Sequence, residues 1–304
     1  MSANGSRQIF LGMDERWVSV SGARLRYQVG GSGPPLVLVH GIAASSFSFR
    51  FNCAALMSEF QVFVPELLSV EYPDRTPCLD CSLRAIAMRL GDFLGEVGVG
   101  SASVLGSSYG GAVAMQLAAL APQRLDSLLL VSPANPFAQR YRRVVSFYLS
   151  AIGGVFIRLV PYMPGRVWDY GIGRMYADPA SMVAGTGIGY ALPLRRRTAI
   201  AQILSCLKTF SNDVGGLRPL LPAIAKIPTL LIWGNRDPVV ELESGYQLQK
   251  ALGAEMMVVT DVGHLPYEEA PAEFNRLVSE WLKTQSTVRP AENASDRLIE
   301  RPAT

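Results

Sequence analysis

The residues Gly106-Ser107-Ser108-Tyr109-Gly110 form a G-x-S-x-G pattern between an apolar run and an alanine-rich segment. The run at 102–105 predicts a buried strand, and the segment at 112–121 predicts a buried helix. A serine between a strand and a helix lies on a sharp turn that lifts its hydroxyl above the sheet. The flanking glycines suit such a turn because side chains would crowd it. The pattern therefore indicates Ser108 as a nucleophile, although a glycine- and serine-rich turn before a helix would look similar.

Short apolar runs alternate with helical patterns along most of the chain. Such alternation predicts an α/β fold, in which a mostly parallel central sheet carries helices on both faces. An antiparallel hairpin is expected first, at 17–20 and 25–29, with its turn near Ser21-Gly22. The other predicted strands are 36–40, 61–65, 102–105, 127–131, 229–233 and 256–260. The predicted helices are 83–97, 112–121, 242–252 and 273–283.

Between the strands at 127–131 and 229–233 the alternation stops. Residues 137–212 are aromatic, rich in arginine and mostly helical in pattern. We interpret this segment as a mainly helical cap, inserted over the carboxyl edge of the sheet. The predicted domains are a core at 1–134 and 214–284, the cap at 135–213, and a polar tail at 285–304 that is expected to fray.

Composition narrows the function classes. A net charge of +3 gives no general signature of polyanion binding, so no nucleic-acid partner is expected. Four cysteines are too few for a disulfide framework, and the Cys78-x-x-Cys81 spacing lacks the further ligands that zinc requires. Residues 1–15 contain no signal-peptide core, and the longest apolar stretch, 147–161, is shorter than the ~20 residues of a membrane span. A cytoplasmic protein is the expectation.

A serine hydroxyl needs a base before it becomes a good nucleophile. His264 follows the last predicted strand, so it is expected at the same edge of the sheet as Ser108. Asp237 follows the strand at 229–233 at that edge, where a carboxylate could orient the histidine. Asp261 is closer to His264 in sequence but is more simply a turn residue.

The order Ser108, Asp237, His264 is the nucleophile–acid–base order of the α/β-hydrolase superfamily, and residues ~15–283 resemble that superfamily. The resemblance includes the His40-Gly41 pair after the first central strand. It implies a capped serine hydrolase or esterase with the α/β-hydrolase fold. It also implies a Ser-Asp-His triad that works without a metal or a cofactor.

An oxyanion hole for the tetrahedral intermediates of acyl transfer follows from the same resemblance. One donor would be the N–H of Tyr109, the residue after the nucleophile. The second would be the N–H of Ile42, directly after the His40-Gly41 pair, with Ala43 as the second choice. His40 would then support this loop by hydrogen bonds instead of taking part in the chemistry.

The loop at 66–73 departs from the pattern of capped hydrolases, which usually carry Pro-Asp followed by a glycine-rich stretch. Here Glu66 replaces the aspartate, and Ser69 and Glu71 stand where glycines are expected. Such positions often require backbone angles that glycine adopts most cheaply. We therefore expect the loop to take a different course beside the oxyanion side of the site.

The predicted cap is strongly basic. Residues 137–212 contain nine arginines and Lys208 against Asp169 and Asp178, so the cap carries about +8 and the remainder about −5 of the net +3. With its eleven aromatic residues, the cap predicts an apolar pocket under a basic rim, suited to a small hydrophobic ester or acyl substrate. It also favours contact with a membrane surface or an acyl carrier. Aromatic packing on the sheet and arginine solvation would produce the same composition.

The expected function is hydrolysis of carboxylic esters of hydrophobic substrates through an acyl-enzyme, as in a carboxylesterase or lipase. A hydrolase of carbon–carbon bonds or a thioesterase would use the same triad. A non-catalytic ligand-binding protein with the hydrolase fold is the third alternative. The triad does not distinguish ester, carbon–carbon and thioester hydrolysis, because contacts in the pocket decide among these reactions.

Overall fold

The computed structural model describes residues 10–67, 80–195 and 198–288. Its centre is an eight-stranded sheet with the order β1-β2-β4-β3-β5-β6-β7-β8. The strands are β1 (Met13–Val20), β2 (Ala23–Gly30), β3 (Pro35–Val39), β4 (Gln61–Pro65), β5 (Ala102–Ser107), β6 (Leu125–Val131), β7 (Thr229–Gly234) and β8 (Glu255–Val259). The pairs β1–β2 and β2–β4 are antiparallel, whereas the neighbouring pairs from β4 to β8 are parallel. The predicted fold class, a mostly parallel sheet with helices, is confirmed.

Helices lie in the connections from β3 onward and after the last strand. They are α1 (Cys53–Leu56), α2 (Leu83–Glu96), α3 (Tyr109–Leu120), α4 (Arg140–Leu149), α5 (Ala151–Leu159), α6 (Gly165–Gly173), α7 (Thr186–Leu194), α8 (Ala199–Gly215), α9 (Leu221–Ile224), α10 (Leu242–Leu252), α11 (Pro266–Glu269) and α12 (Pro271–Val288). Within the described ranges, none of these helices is both long and apolar enough to cross a bilayer.

The first two strands form the predicted hairpin. Its turn residues, Ser21 and Gly22, both have positive φ values of 49° and 78°. Two successive positive φ values are typical of a type I′ turn, which matches the twist of the paired strands. β1 begins at Met13, four residues before the predicted start, because β2 continues to Gly30 and pairs with it there.

Both faces of the sheet are covered by apolar core. Val37 and Val39 of β3 belong to one core cluster, whereas Leu36 and Leu38 belong to the other. Successive side chains of a strand point to opposite faces. The central strands are therefore continuous apolar runs, as buried parallel strands require.

Two helix boundaries differ from the prediction by three residues or more. α3 begins at Tyr109, three residues early, because the chain enters the helix directly after Ser108. α12 extends to Val288, beyond the predicted end at 283 and into the segment expected to fray. Burial of Trp281 and Leu282 in the core anchors this longer helix.

Helices α4 to α8, called here the inserted helices, occupy the chain between β6 and β7. α4 packs against α5 and α8, α6 packs against α7, and α8 reaches α2 of the core. The segment is mostly helical, as its sequence pattern predicts. It interrupts the strand–helix alternation between two strands that are neighbours in the sheet.

The cysteines of the described chain are free thiols. Cys78 lies outside the described residues, whereas Cys81 is buried and its thiol hydrogen-bonds that of Cys206 in α8. Burial raises the pKa of the Cys53 thiol to about 12, which makes it a poor nucleophile. Among the described residues, no group of three or more His, Cys, Asp or Glu side chains could hold a metal ion.

Gly110→Ala is expected to destabilise the fold by about 1–3 kcal/mol, because the new Cβ would lie 2.3 Å from the Val39 carbonyl oxygen and 2.6 Å from that of His40. Urea unfolding measures this cost. The control is Gly215→Ala, which makes the same change near a helix end with nothing within 4 Å of the new Cβ and should be neutral or slightly stabilising. Equal losses in both variants would contradict a close approach at Gly110.

Candidate active site

Ser108 lies at the junction of β5 and α3. β5 ends at Ser107 and α3 begins at Tyr109, so Ser108 alone forms the turn. Its φ and ψ are 52° and −120°, a conformation that costs a non-glycine residue roughly 1–3 kcal/mol. The Ser108 N–H donates to the Val131 carbonyl at 2.9 Å, and the Ala134 N–H donates to the Ser108 carbonyl at 2.9 Å. The turn therefore holds Ser108, half-buried, at the carboxyl edge of the sheet.

Glycines let the backbone close tightly around this turn. A Cβ on Gly106 would lie 2.4 Å from the Gly110 carbonyl oxygen. A Cβ on Gly41 would lie 3.3 Å from the Ser108 Cβ, so the loop after β3 borders the serine side chain. Side chains at these positions would force the start of α3 away from β3 and open the turn.

Asp237 and His264 form a buried pair. Asp237 follows β7, His264 follows β8, and the His264 Nδ1 lies 2.8 Å from the Asp237 Oδ2. The other carboxylate oxygen accepts the N–H groups of Val239 at 2.7 Å and Val240 at 2.9 Å. Burial would raise the pKa of Asp237, but the charge and hydrogen bond of His264 and these two N–H groups lower it below its ordinary value. An ionised Asp237 favours the neutral tautomer with the proton on Nδ1, which leaves Nε2 as an acceptor.

The backbone on both sides of His264 is held by Glu269. Its carboxylate accepts the Gly263 N–H at 3.0 Å and the Leu265 N–H at 3.3 Å. Burial raises the pKa of Glu269 above its ordinary value, even though these N–H groups act in the opposite direction. The His264 N–H itself donates to the Met175 carbonyl at 2.8 Å, so the segment after α6 also fixes the loop.

A glycine and a tyrosine bring the histidine loop to the other two groups. A Cβ on Gly234 would lie 2.1 Å from the Gly263 carbonyl oxygen, so the glycine permits the loop to cross the end of β7 towards Asp237. On the other side, the Ser107 hydroxyl donates to the Tyr267 Oη at 3.3 Å. This bond joins the residue before Ser108 to a residue three positions after His264. The structure thus brings the turn at Ser108, called here the elbow, and the Asp237–His264 pair together at one edge of the sheet.

The loop after β3 is oriented by His40. The His40 Nδ1–H donates to the Gly41 carbonyl oxygen at 2.9 Å. Because the trans peptide is planar, the N–H of Ile42 points opposite to that carbonyl. Ala43, with φ of 57°, turns the chain away immediately afterwards. Ile42 therefore presents its N–H from a loop that borders Ser108. The Tyr109 N–H lies at the N-terminus of α3, the end of a helix that favours negative charge.

Glu66, which replaces the expected aspartate, is buried beneath this loop. Its Oε1 accepts the Ser46 N–H at 2.9 Å and the Ser46 hydroxyl at 2.6 Å, and lies 3.1 Å from the Arg26 Nη2. Its Oε2 lies 3.4 Å from the His40 Nε2. The longer side chain therefore connects β2, His40 and the turn at Ser46. Residues 68–73, where glycines were expected, lie outside the described residues.

A buried ion pair within the core, which the sequence did not predict, is hydrogen-bonded by the segment between β6 and β7. Arg50 donates to both carboxylate oxygens of Glu268, at 2.9 and 2.7 Å. Tyr176 and Tyr190 donate their hydroxyls to the same carboxylate. The adjacent acids at 268 and 269, close after His264, are a sequence signal for a supporting role. Their partners were not predictable, because Arg50 lies 218 residues away in the chain.

The inserted helices also pack directly on the elbow. The Tyr109 ring stacks on Phe210 of α8 with centroids 5.3 Å apart. Tyr141 of α4 meets the same Phe210 ring edge-on at 4.9 Å. The side chain that follows the candidate nucleophile is therefore covered by aromatic rings from α4 and α8.

Sequence comparison identifies a family model that matches most of this chain. The model of the alpha/beta hydrolase family matches residues 36–277, a stretch that includes Ser108, Asp237 and His264. An uncharacterized protein of Mycobacterium tuberculosis is 28% identical over 302 residues, which cover 93% of this chain and 85% of that protein. Lipase 1 of Psychrobacter immobilis is 25% identical over 260 residues, which cover 82% and 78% respectively.

Solved structures share the fold at lower identity. A protein of Acinetobacter baumannii described as a lipase superposes with a TM-score of 0.79 at 22% identity, covering 94% of this chain and 96% of that one. A meta-cleavage product hydrolase superposes with a TM-score of 0.74 at 18% identity, covering 88% and 98%. At these identities the likeness concerns the fold alone.

Glu66 is expected to make stability depend on pH below about 4.5. Burial would raise its pKa, but His40, Arg26 and Ser46 lower it from 4.5 to about 2 in the folded protein. The unfolded chain then takes up the proton first, so the carboxylate stabilises the fold above pH ~4.5 and this contribution is lost as the pH falls towards 2. The loss is on the order of 3 kcal/mol, measured as the change in the free energy of urea unfolding with pH.

The Glu66→Gln variant should show a flatter pH dependence than the wild type over this window. Glu15→Gln is the control, because Glu15 also bonds Arg26, at 3.0 Å, but is more than a third exposed. It should keep the pH dependence of the wild type. The same slope in the wild type and in Glu66→Gln would show that the buried carboxylate does not carry the effect.

Proposed function

Because this chain belongs to the alpha/beta hydrolase family, we propose that it is a serine hydrolase that cleaves carboxylic esters of hydrophobic substrates through an acyl-enzyme. The observation that carries the proposal is the Asp237–His264 pair, with 2.8 Å between Nδ1 and Oδ2, at the same sheet edge as Ser108. Each of the three residues follows the end of a different parallel strand. The hydrogen bond between Ser107 and Tyr267 supports their proximity.

In the first half-reaction, the Ser108 Oγ attacks the ester carbonyl carbon while His264 Nε2 takes its proton. Asp237 stays ionised and stabilises the imidazolium that forms. The N–H groups of Tyr109 and Ile42 stabilise the negative charge on the former carbonyl oxygen. When the intermediate collapses, His264 gives the proton to the leaving alcohol and the acyl group stays on Ser108.

In the second half-reaction, His264 takes a proton from a water molecule, which attacks the acyl-enzyme. The same N–H groups stabilise the second oxyanion, and the proton returns to the Ser108 Oγ as the acid leaves. The residues of this chain supply every step, so the proposal requires neither a metal nor a cofactor.

The preference for hydrophobic esters is supported by the surroundings of the elbow. In the proposal the inserted helices act as a cap, and the rings of Tyr141 and Phe210, which pack over Tyr109, give its underside an apolar character. An apolar wall binds acyl chains by removing them from water. The relationship to Lipase 1 of Psychrobacter immobilis favours the same class of substrate.

Hydrolysis of carbon–carbon bonds is the second candidate, because a meta-cleavage product hydrolase has the same fold. A thioester would react by the same steps as an ester. These reactions share the triad chemistry and differ in the contacts made by the two sides of the substrate.

Ser108→Ala should lower the turnover of p-nitrophenyl esters by roughly 10⁴–10⁶-fold, because the nucleophile is lost while the fold is kept. The assay uses p-nitrophenyl esters from acetate to palmitate, and the acyl length with the highest turnover measures the depth of the acyl site. Ser127→Ala is the control. This serine of β6 is buried, and its hydroxyl donates to the Ser103 hydroxyl at 2.9 Å. The loss of this hydroxyl should leave turnover nearly unchanged.

The ester assay is paired with labelling of Ser108 by a fluorophosphonate. Labelling without ester turnover would reject the ester proposal and favour a carbon–carbon or thioester substrate. Neither labelling nor turnover would reject catalysis and favour the ligand-binding alternative.

Asp237→Asn should lower kcat by about 10⁴-fold, the loss known for the equivalent change in a serine protease, because an amide favours the wrong tautomer of His264. Asp261→Asn is the matched control. Asp261 lies closer to His264 in sequence, but its carboxylate is exposed and pairs with Arg236 at 2.7 Å. Turnover of p-nitrophenyl butyrate by the two variants decides between the two aspartates. A larger loss of turnover in Asp261→Asn than in Asp237→Asn would make Asp261 the acid of the triad.

A further inference from the structure

The outer face of α5 carries an apolar stripe. Ile152, Val155, Phe156 and Leu159 are 77%, 58%, 37% and 55% exposed. Their spacing of i, i+3, i+4 and i+7 puts them on one side of the helix. The opposite side is buried and contains Ile157. The helix is thus apolar on both sides, although soluble proteins usually give the solvent side of a surface helix polar residues.

Neighbouring segments enlarge this stripe. α4 contributes Val144, Phe147 and Leu149, and the turn after α5 contributes Tyr162, which is 74% exposed. We call these four residues and the stripe of α5 the apolar ridge. Most of the exposed large hydrophobic residues of the described chain lie in the inserted helices, whereas single ones elsewhere are ordinary.

The ridge is held in a defined shape. A Cβ on Gly153 would lie 1.9 Å from the Phe147 carbonyl oxygen, so α4 and α5 approach at backbone distance. The rings of Phe147, Tyr148 and Phe156 lie against one another, with centroids 5.3 to 6.4 Å apart. A preformed surface of this kind loses little side-chain entropy when it is covered.

Arginine predominates among the charged residues of the segment that carries the ridge. Residues 140–168 contain five arginines and neither aspartate nor glutamate. Arg158 and Arg166 are exposed beside the apolar side chains. Exposed aliphatic and aromatic side chains flanked by arginines are typical of helices that lie in the boundary between lipid headgroups and acyl chains.

We propose that the apolar ridge docks this protein onto the surface of an anionic phospholipid bilayer. The protruding side chains enter the boundary of the acyl chains, and the arginines contact the phosphates. A fluid bilayer accommodates protruding side chains without a matching groove. The arginine-rich flank, where Arg158 and Arg166 are exposed, complements an anionic surface and opposes the pairing of two ridges.

The position of α4 connects this surface to the candidate active site. Its outer face belongs to the ridge, whereas its inner residue Tyr141 packs on Phe210, which stacks on Tyr109. Docking would therefore bring the helices over the elbow to the membrane that contains acyl lipids. This delivery of substrate rests on the proposed esterase function, whereas docking itself does not.

The test is co-sedimentation of the full chain with extruded vesicles of phosphatidylcholine, with and without 30 mol% phosphatidylglycerol. We expect the protein to pellet with the anionic vesicles and to be released as salt is raised. The double variant Ile152→Glu/Val155→Glu should bind at least about tenfold more weakly, because two apolar contacts are lost and two negative charges added.

The matched control is Leu11→Glu/Met88→Glu, which makes the same charge change at two exposed apolar residues outside the ridge (74% and 51% exposed). It should bind as the wild type does, apart from the small effect of net charge. Hydrolysis of soluble p-nitrophenyl acetate is measured on all three proteins. Equal rates of hydrolysis in the three proteins would show that a loss of vesicle binding comes from the ridge and not from a failure of the fold or of the proposed chemistry.

Any of four results would overturn the proposal. The first is a wild type that pellets with neither vesicle, and the second is an equal loss of binding in the two double variants. The third is a dimer of the wild type, seen by sedimentation velocity without lipid, that the ridge variant abolishes. The fourth is an acidic acyl-carrier protein that binds the ridge while the vesicles do not.

Discussion

The crowding of the backbone at Ser108 is the constraint on which the rest of the site depends. β5 passes into α3 within a single residue, and this is possible because Gly106 and Gly110 have no side chains to fill the space. The strain at Ser108 is offset by the position of β5, which is bonded to β3 on one side and β6 on the other. The same crowding brings the start of α3 against the end of β3, so two candidate oxyanion donors come from separate segments that cannot move apart.

Carboxylates hold the loops that the sheet alone would leave free. Glu66 fixes the loop after β3, Glu269 fixes the backbone around His264, and Glu268 holds the inserted helices through the hydroxyl of Tyr190. A buried charge is costly unless it is paired and hydrogen-bonded. Each carboxylate therefore requires a specific arrangement of its partners, and breaking that arrangement leaves an unpaired charge.

The sequence predicted the sheet well, because central parallel strands are buried on both faces and read as short apolar runs. It also predicted the insertion, because its arginines and aromatic residues interrupt the alternation. The start of α3 and the end of α12 were misplaced by a few residues. α3 begins directly after Ser108, and the residues of α12 beyond 283 are mostly polar, so no apolar pattern marks its last turn. Arg50 and Glu268 were not foreseen, because nothing local pairs residues 218 positions apart.

By itself, the sequence determined the fold class and the candidate residues Ser108, Asp237 and His264, since strand ends in a parallel sheet meet at one edge. The tertiary structure brings Asp237 to 2.8 Å from His264, as the sequence predicted, and pairs the nearer Asp261 with Arg236. It also decided that Glu66 supports the loop after β3 and that the apolar residues of α5 face outward. The physical reason is that strand and helix patterns depend on neighbours in the chain, whereas burial and charge pairing depend on groups that only folding brings into contact.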